Sequence, residues 1–214
     1  RNQHHFHYAV CFRGPHGNRR RTMEVKPCLA ERWEYDESGK VCRFFLRKDV
    51  TWNDGAAFTA DDVVFTFDGL IYNTDIPTSS RDVLTIEGKR IQVRKIDDYT
   101  VDFILPERFA PFLQLMSQEI LPRHKLKQYL EKGTFNSCWG VNENPENIVG
   151  TGPYKIEEYR PAEWIILEKN DRYWKKDAQG TSLPHIRRIV FLVIADANMA
   201  VLKFKTGEID IISV

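Results

Sequence analysis

Three carboxylates lie close together in the stretch WNDGAAFTADDVVFTF, residues 52–67. Asp54, Asp61 and Asp62 are of the type that serves as a general acid or base, or that binds a hard metal ion. Their surroundings also fit structural roles, because Asp54 begins an Asp-Gly turn dipeptide and Thr59 stands three residues before Asp62, as in a capping box. We favour structural roles and keep a metal-dependent hydrolase using Asp54, Asp61 or Asp62 as the alternative.

A second group of possible metal ligands lies near the amino terminus, where His4, His5 and His7 precede Cys11. Imidazole and thiolate suit zinc, copper or nickel. The spacing matches no closed tetrahedral site, so solvated histidines are the favoured interpretation. No metal and no other cofactor is predicted.

The segment GTGPY, residues 150–154, is rich in glycine but does not match a phosphate-binding loop. It lacks the spacing of both common nucleotide motifs and leads into a strand instead of a helix. It is better explained as a tight crossing between two structural units, with glycines at positive φ. There is also no G-x-S-x-G nucleophile motif, and no Ser, His and Asp spacing implies a triad.

The cysteines and tryptophans are weaker indications of a disulfide and of a ligand groove. A disulfide between Cys28 and Cys42 across a hairpin is one possibility that the sequence leaves open. The tryptophans could line a ligand groove, although aromatic residues at strand positions are more often part of a core. The five tryptophans are Trp33, Trp52, Trp139, Trp164 and Trp174.

The elements that must position these side chains begin with two hairpins. One spans residues 31–47 around a D-E-S-G turn, and the other spans residues 90–105 around Asp97 and Asp98. Between them, Thr59 caps a predicted helix with one apolar face, formed by Val63, Val64, Phe67, Leu70 and Ile71. Two short helices are predicted after Pro111 and Pro122, the second closed by Gly133.

The second part of the chain follows a predicted boundary near Val149. A third hairpin surrounds residues 160–163, and the apolar run 189–195 is typical of a strand covered on both faces. Asp196 caps a predicted helix that ends at Gly207, and residues 209–214 are a further apolar strand. Strand, helix and strand in so few residues predict a parallel βαβ unit. An apolar strand at the end of the chain suggests that a larger protein continues there.

Composition excludes several classes of protein. The 214 residues are 42% hydrophobic and 29% charged, with a formal net charge of +1, which is typical of a globular protein. The balanced charge argues against nucleic acid as a partner, because phosphate binding relies on concentrated lysine and arginine. No run of apolar residues is long enough for a membrane span.

The order of motifs resembles one known family. Residues 27–67 resemble the signature region of the family 5 extracellular solute-binding proteins, the oligopeptide and dipeptide receptors of ABC importers. The likeness covers nearly all of residues 24–214 and continues through the following segments: DDYTVDFIL, APFLQLM, ILPRH, GTFNSCWGV, GTGPYKIEEY, ILEKNDRYWKK and RRIVFLVIADANMAVLKFKTGEIDII.

This resemblance implies an α/β fold of the periplasmic-binding-protein type (type II), in which two lobes close over a ligand. Residues 1–149 would be a subdomain of hairpins and helices inserted into lobe I. Residues 150–214 would be the return into the main part of lobe I, a hairpin followed by the βαβ unit. Family members are much longer, so the chain is expected to be partial, without the second lobe.

The resemblance also implies a function, with no catalysis. The chain would belong to the binding component of an ABC-type importer, which is periplasmic, or extracellular and membrane-associated. This component captures an oligopeptide or similar solute and delivers it to permease subunits. Neither the ligand nor any ligand-binding residue can be assigned. With half of the cleft missing, we expect weak peptide binding by these residues alone. We also expect the apolar runs 189–194 and 209–214 to favour self-association.

Overall fold

A computed structural model describes residues 25–140 and 142–212 of the chain. Its strands and helices are, in chain order, β1 (Ala30–Tyr35), β2 (Val41–Leu46), α1 (Ala60–Val64), a π-helix (Phe65–Ile71), α2 (Ser80–Val83), β3 (Thr85–Ile86), β4 (Lys89–Arg90), β5 (Gln92–Asp97), β6 (Thr100–Ile104), α3 (Phe112–Leu115), α4 (Arg123–Glu131), 3-10 helices (Phe135–Ser137 and Pro145–Asn147), β7 (Tyr154–Arg160), β8 (Trp164–Lys169), β9 (Arg188–Leu192) and α5 (Ala197–Lys205).

The first sheet has the strand order β1-β2-β6-β5, and each pair of neighbours is antiparallel. Both predicted hairpins are confirmed, β1 with β2 and β5 with β6. Cys42, Phe44 and Leu46 are buried on one face of β2, as their alternation predicted. Phe103 of β6 lies on the same buried face, with its ring centroid 5.2 Å from that of Phe44 in an edge-on contact.

The helix that follows Thr59 covers this buried face. Val63 and Phe67 have no exposed surface, and the Phe67 ring lies 5.0 Å from that of Phe103. The apolar face and the Thr59 cap are therefore confirmed. The helix changes from α to π at Phe65, a change that no apolar spacing predicts. The later helices also begin after Pro111 and Pro122 as predicted, and Gly133 ends α4 with a left-handed φ of 67°.

The outer face of the first sheet carries charges of alternating sign in register. Glu34 faces Arg43 across β1 and β2, and Arg43 and Arg94 both face Asp102 on β6. The Asp102 side chain is fully buried between the two arginines, with Arg43 Nε 2.7 Å from Oδ1 and Arg94 Nη2 3.1 Å from Oδ2. These hydrogen bonds, from Arg43 above all, hold the pKa of the Asp102 carboxyl below its usual value.

The second sheet has the order β7-β8-β9, and all its pairs are antiparallel. The third predicted hairpin is confirmed. The predicted parallel βαβ unit stays a prediction: β9 and α5 are present, whereas residues 209–212, the described part of its second strand, are not in a strand. The predicted cover of residues 189–195 on both faces is also wrong, since Val190 to Val193 are 45% to 58% exposed.

Helix α5 begins as predicted, with the Asp196 carboxylate accepting a 2.7 Å hydrogen bond from the Met199 N–H. Gly207, at a φ of 77°, follows the end of the helix. The apolar side chains of α5 are not covered, since Met199, Leu202 and Phe204 are each about half exposed. Val190 to Val193, whose side chains alternate between the two faces of β9, are exposed to a similar degree, and we call this set of exposed apolar side chains on β9 and α5 the β9/α5 surface.

Cys28 and Cys42 do not form the disulfide that the sequence left open. The reason is strand register: Ala30 pairs with Leu46, whereas Cys42 pairs with Tyr35 at the other end of the hairpin. An offset of several residues at about 3.3 Å each exceeds the roughly 7 Å that a disulfide can span. Burial raises the pKa of the Cys42 thiol to about 12.

The long connection between the sheets contains the two 3-10 helices and then crosses at residues 150–153. Gly150 and Gly152 do not have the left-handed φ that the sequence predicted. Hydrogen bonds to asparagine residues hold the crossing instead, so no strained turn is needed there. The predicted boundary near Val149, and the division into residues 1–149 and 150–214, stay predictions.

Candidate functional site

The turn that carries Asp54 is built from backbone hydrogen bonds between two short extended segments. Trp52 N–H donates to Ala56 O at 2.8 Å, and Gly55 N–H donates to Trp52 O at 2.9 Å. Gly55 has a φ of 95°, which a residue with a Cβ adopts only under strain. Asp54 Oδ1 accepts a 3.1 Å hydrogen bond from the Ala56 N–H. The Asp-Gly turn predicted from sequence is thus confirmed.

Asp62 is 4% exposed and cross-links three segments. Its Oδ2 accepts hydrogen bonds from Thr59 N–H at 3.0 Å and Trp52 Nε1–H at 3.3 Å, and its Oδ1 accepts one from Arg123 N–H at 2.9 Å. Burial raises the pKa of this carboxyl, and these hydrogen bonds oppose the rise. The acceptor positions of Asp62 are occupied by structural donors, which fits the predicted capping role.

Asp54 and Asp61 have other partners. Asp54 Oδ2 lies 2.8 Å from His124 Nε2 and 3.4 Å from Lys125 Nζ, both in the first turn of α4. Burial tends to raise the pKa of Asp54, but hydrogen bonds with His124 and the Ala56 N–H outweigh it and leave the pKa below its usual value. Asp61 instead pairs with Lys95 of β5 at 2.8 Å.

The three carboxylates therefore do not form one reactive centre. The Asp54 and His124 pair is the contact closest to a catalytic arrangement, and no motif predicted it, because the two residues are 70 positions apart. Within residues 25–140 and 142–212, no group of three or more His, Cys, Asp or Glu side chains converges as metal ligands would. The candidates His4, His5, His7 and Cys11 lie outside the described residues. Among the residues that the structure describes, no arrangement of side chains supports the hydrolase alternative.

The tryptophans do not line a common groove. Trp52 is buried in the core of the first sheet, and Trp33 and Trp174 pack against that core. Trp139 packs against a separate cluster around Leu126, and Trp164 lies on β8. The prediction that tryptophans mostly serve packing is confirmed for Trp33, Trp52, Trp139 and Trp174.

Two clefts differ in the polarity of the side chains that line them. One, of about 380 Å³, is lined only by polar and charged groups near the end of β8: Glu168, Lys169, Asp171, His185 and Arg187. The other, of about 340 Å³, lies beside the π-helix and combines apolar side chains such as Leu70 and Ile76 with hydroxyls such as Thr78. Both are small for a peptide of several residues, so neither identifies a ligand site.

The described part of the chain includes no helix with the length and apolar character needed to cross a bilayer.

Comparison with known proteins places this geometry in context. The family model described as "Bacterial extracellular solute-binding proteins, family 5 Middle" matches residues 24–214. The dipeptide-binding protein of Escherichia coli is 34% identical over 203 residues, which cover 87% of this chain and 36% of that protein.

Solved structures give the same result. The oligopeptide-binding protein AppA from Bacillus subtilis, in complex with a nonapeptide, is 30% identical with a TM-score of 0.68, over 87% of this chain and 35% of that one. NikZ from Campylobacter jejuni, in complex with Ni(L-His), is 28% identical with a TM-score of 0.70, over 95% of this chain and 36% of that one. The chain spans about a third of the length of the curated relatives that it matches. The α/β fold of the periplasmic-binding-protein type is therefore confirmed.

Proposed function

The chain belongs to family 5 of the bacterial extracellular solute-binding proteins, and we propose that it is part of the receptor component of an ABC-type peptide importer. Proteins of this family bind solutes and are not enzymes. The observation that carries the proposal is the match of residues 24–214 to the family model, together with relatives named for dipeptide and oligopeptide binding.

In this proposal the receptor captures an oligopeptide or a similar solute outside the inner membrane and delivers it to permease subunits. Peptides are favoured over other solutes because both the curated relative and the nonapeptide complex are peptide-binding proteins. NikZ, which was solved in complex with Ni(L-His), represents the competing ligand class, nickel complexes. Asp54, Asp61 and Asp62 support this function indirectly, because their contacts stabilise the fold and do not form a reactive centre.

The β9/α5 surface is consistent with a receptor that is larger than this chain. So many apolar side chains at half exposure on β9 and α5 are unusual for a surface that faces only water, and they are typical of elements that other chain segments cover. We propose that segments corresponding to the unmatched part of the relatives pack there and complete the lobe.

Peptide uptake tests the delivery step. Cells that lack the encoding gene should lose import of labelled di- and oligopeptides, and the restored gene should recover it. Nickel uptake, measured in parallel, serves as the control for ligand class. Unchanged peptide import in the deleted cells, or a loss of nickel import alone, would contradict the proposal.

A further inference from the structure

Four consecutive residues of the turn at 52–55 each contact a different part of the molecule. Trp52 donates its indole N–H to Asp62 of α1. Asn53 donates its N–H to Gly150 O at 3.0 Å, and its Oδ1 lies 3.4 Å from the Gly150 nitrogen. Asp54 pairs with His124 of α4. The fourth residue, Gly55, lies so close to Arg172 that a Cβ there would be 3.4 Å from Arg172 Cζ.

The second half of the chain holds the same crossing from the other side. Asn170, which is 3% exposed, donates from Nδ2 to Gly152 O at 2.7 Å, and its backbone N–H donates to Pro153 O at 2.8 Å. Its Oδ1 accepts from the Arg172 N–H at 3.0 Å, which fixes the segment that places Arg172 over the turn. Thr151, between the two asparagine contacts, is buried.

A further contact reinforces this junction. Trp174, which follows β8, packs against the core of the first sheet, and the Arg47 guanidinium lies 4.3 Å from its ring centroid. The two sheets are thus joined by buried hydrogen bonds and by shared packing, in addition to the chain itself. A flexible linker would have exposed backbone and few such contacts.

We propose that the turn at residues 52–55, together with Asn170 and Arg172 on the other side, is a coupling element that holds the crossing at 150–153, so that the two sheets unfold as one unit. Residues 52–55 belong to the signature region 27–67, and their position at this junction explains why that region contains this turn.

Hydrogen exchange of the 214-residue chain in increasing urea, followed by mass spectrometry, tests the coupling. In the unmodified chain, amides of β2 and β8 should lose protection in one shared transition. Asn170→Ala removes the side-chain bond to the crossing, and β8 amides should then exchange faster by roughly tenfold or more, with β2 amides changed less than about threefold.

Asp177→Ala is the matched control. Asp177 Oδ1 accepts hydrogen bonds from the N–H groups of Gln179 and Thr181 in the second half of the chain, away from the crossing. This variant should leave the β2 and β8 transitions together. If Asn170→Ala does not fold, Arg172→Ala tests the same junction from an exposed position and should separate the transitions in the same direction.

Two results would overturn the proposal. One is an unmodified chain in which β2 and β8 already lose protection in separate transitions. The other is a junction variant that shifts both sheets equally, or no more than Asp177→Ala does.

Discussion

At the scale of single residues, Asp62 and Asp61 are neighbours in sequence with very different expected contributions to stability. Asp62 accepts hydrogen bonds from three N–H groups in a buried position, whereas the Asp61 side chain is 46% exposed beside Lys95. Asp62→Ala leaves buried donors without an acceptor and should lower the free energy of unfolding by about 3 kcal/mol. Asp61→Ala should lower it by less than about 1 kcal/mol. Urea unfolding midpoints compare them, and equal losses would refute the assigned roles.

Asp102 gives a prediction about pH. Its pKa in the folded chain lies below its unfolded value because Arg43 and Arg94 donate to the ionised carboxylate. A lowered carboxyl pKa stabilises the fold fully above the unfolded value, near pH 4, and this stabilisation is lost as pH falls through the folded pKa. Asp102→Asn should therefore cost about 1–3 kcal/mol at neutral pH and progressively less below about pH 4.

The check is chemical unfolding of both chains between pH 2.5 and 7. A free-energy difference that stays constant over this range would show that the carboxylate charge is not what matters at Asp102.

At the scale of elements, the β9/α5 surface predicts self-association of this chain. Phe191 on β9 and Leu202 on α5 present apolar side chains that are about half exposed. Phe191→Glu should reduce association at high protein concentration, because a buried charge would oppose contact between two such faces. Ile96→Glu is the matched control, since Ile96 is 44% exposed on the first sheet. Light scattering that finds the unmodified chain strictly monomeric would contradict the prediction.

Elements with local sequence patterns were predicted well. The three hairpins follow from alternation around polar turns, and the helix after Thr59 follows from its cap and apolar face. Such features depend on neighbours in the sequence, so composition and spacing are sufficient to predict them.

Features that depend on distant contacts were not predicted. The pattern of residues 189–214 predicts a βαβ unit, but whether a strand forms after α5 depends on a partner strand, and residues 209–212 are not in a strand. The Asp54 and His124 contact joins residues 70 positions apart, and the junction at Asn170 depends on tertiary packing. The turn contact of Asp54 and the cap contact of Asp62 were predicted because turn and cap chemistry is local.

At the scale of the whole molecule, we propose that this chain contributes one part of a ligand-binding cleft. It spans about a third of the length of its curated relatives, and the clefts in its described residues are small for a peptide. Tight binding needs burial of most of the ligand surface between preorganised walls. The 214 residues alone should therefore bind peptides far more weakly than a polypeptide that also contains the segments corresponding to the rest of the relatives.

Isothermal titration calorimetry with di-, tri- and oligopeptides tests this claim most directly, on the 214-residue chain and on the longest natural polypeptide that contains it. We predict a dissociation constant in the micromolar range or tighter for the long polypeptide, and weaker than about 1 mM for the 214 residues. A long polypeptide that binds no peptide would contradict the proposed function. Tight peptide binding by the 214 residues alone would contradict the shared cleft.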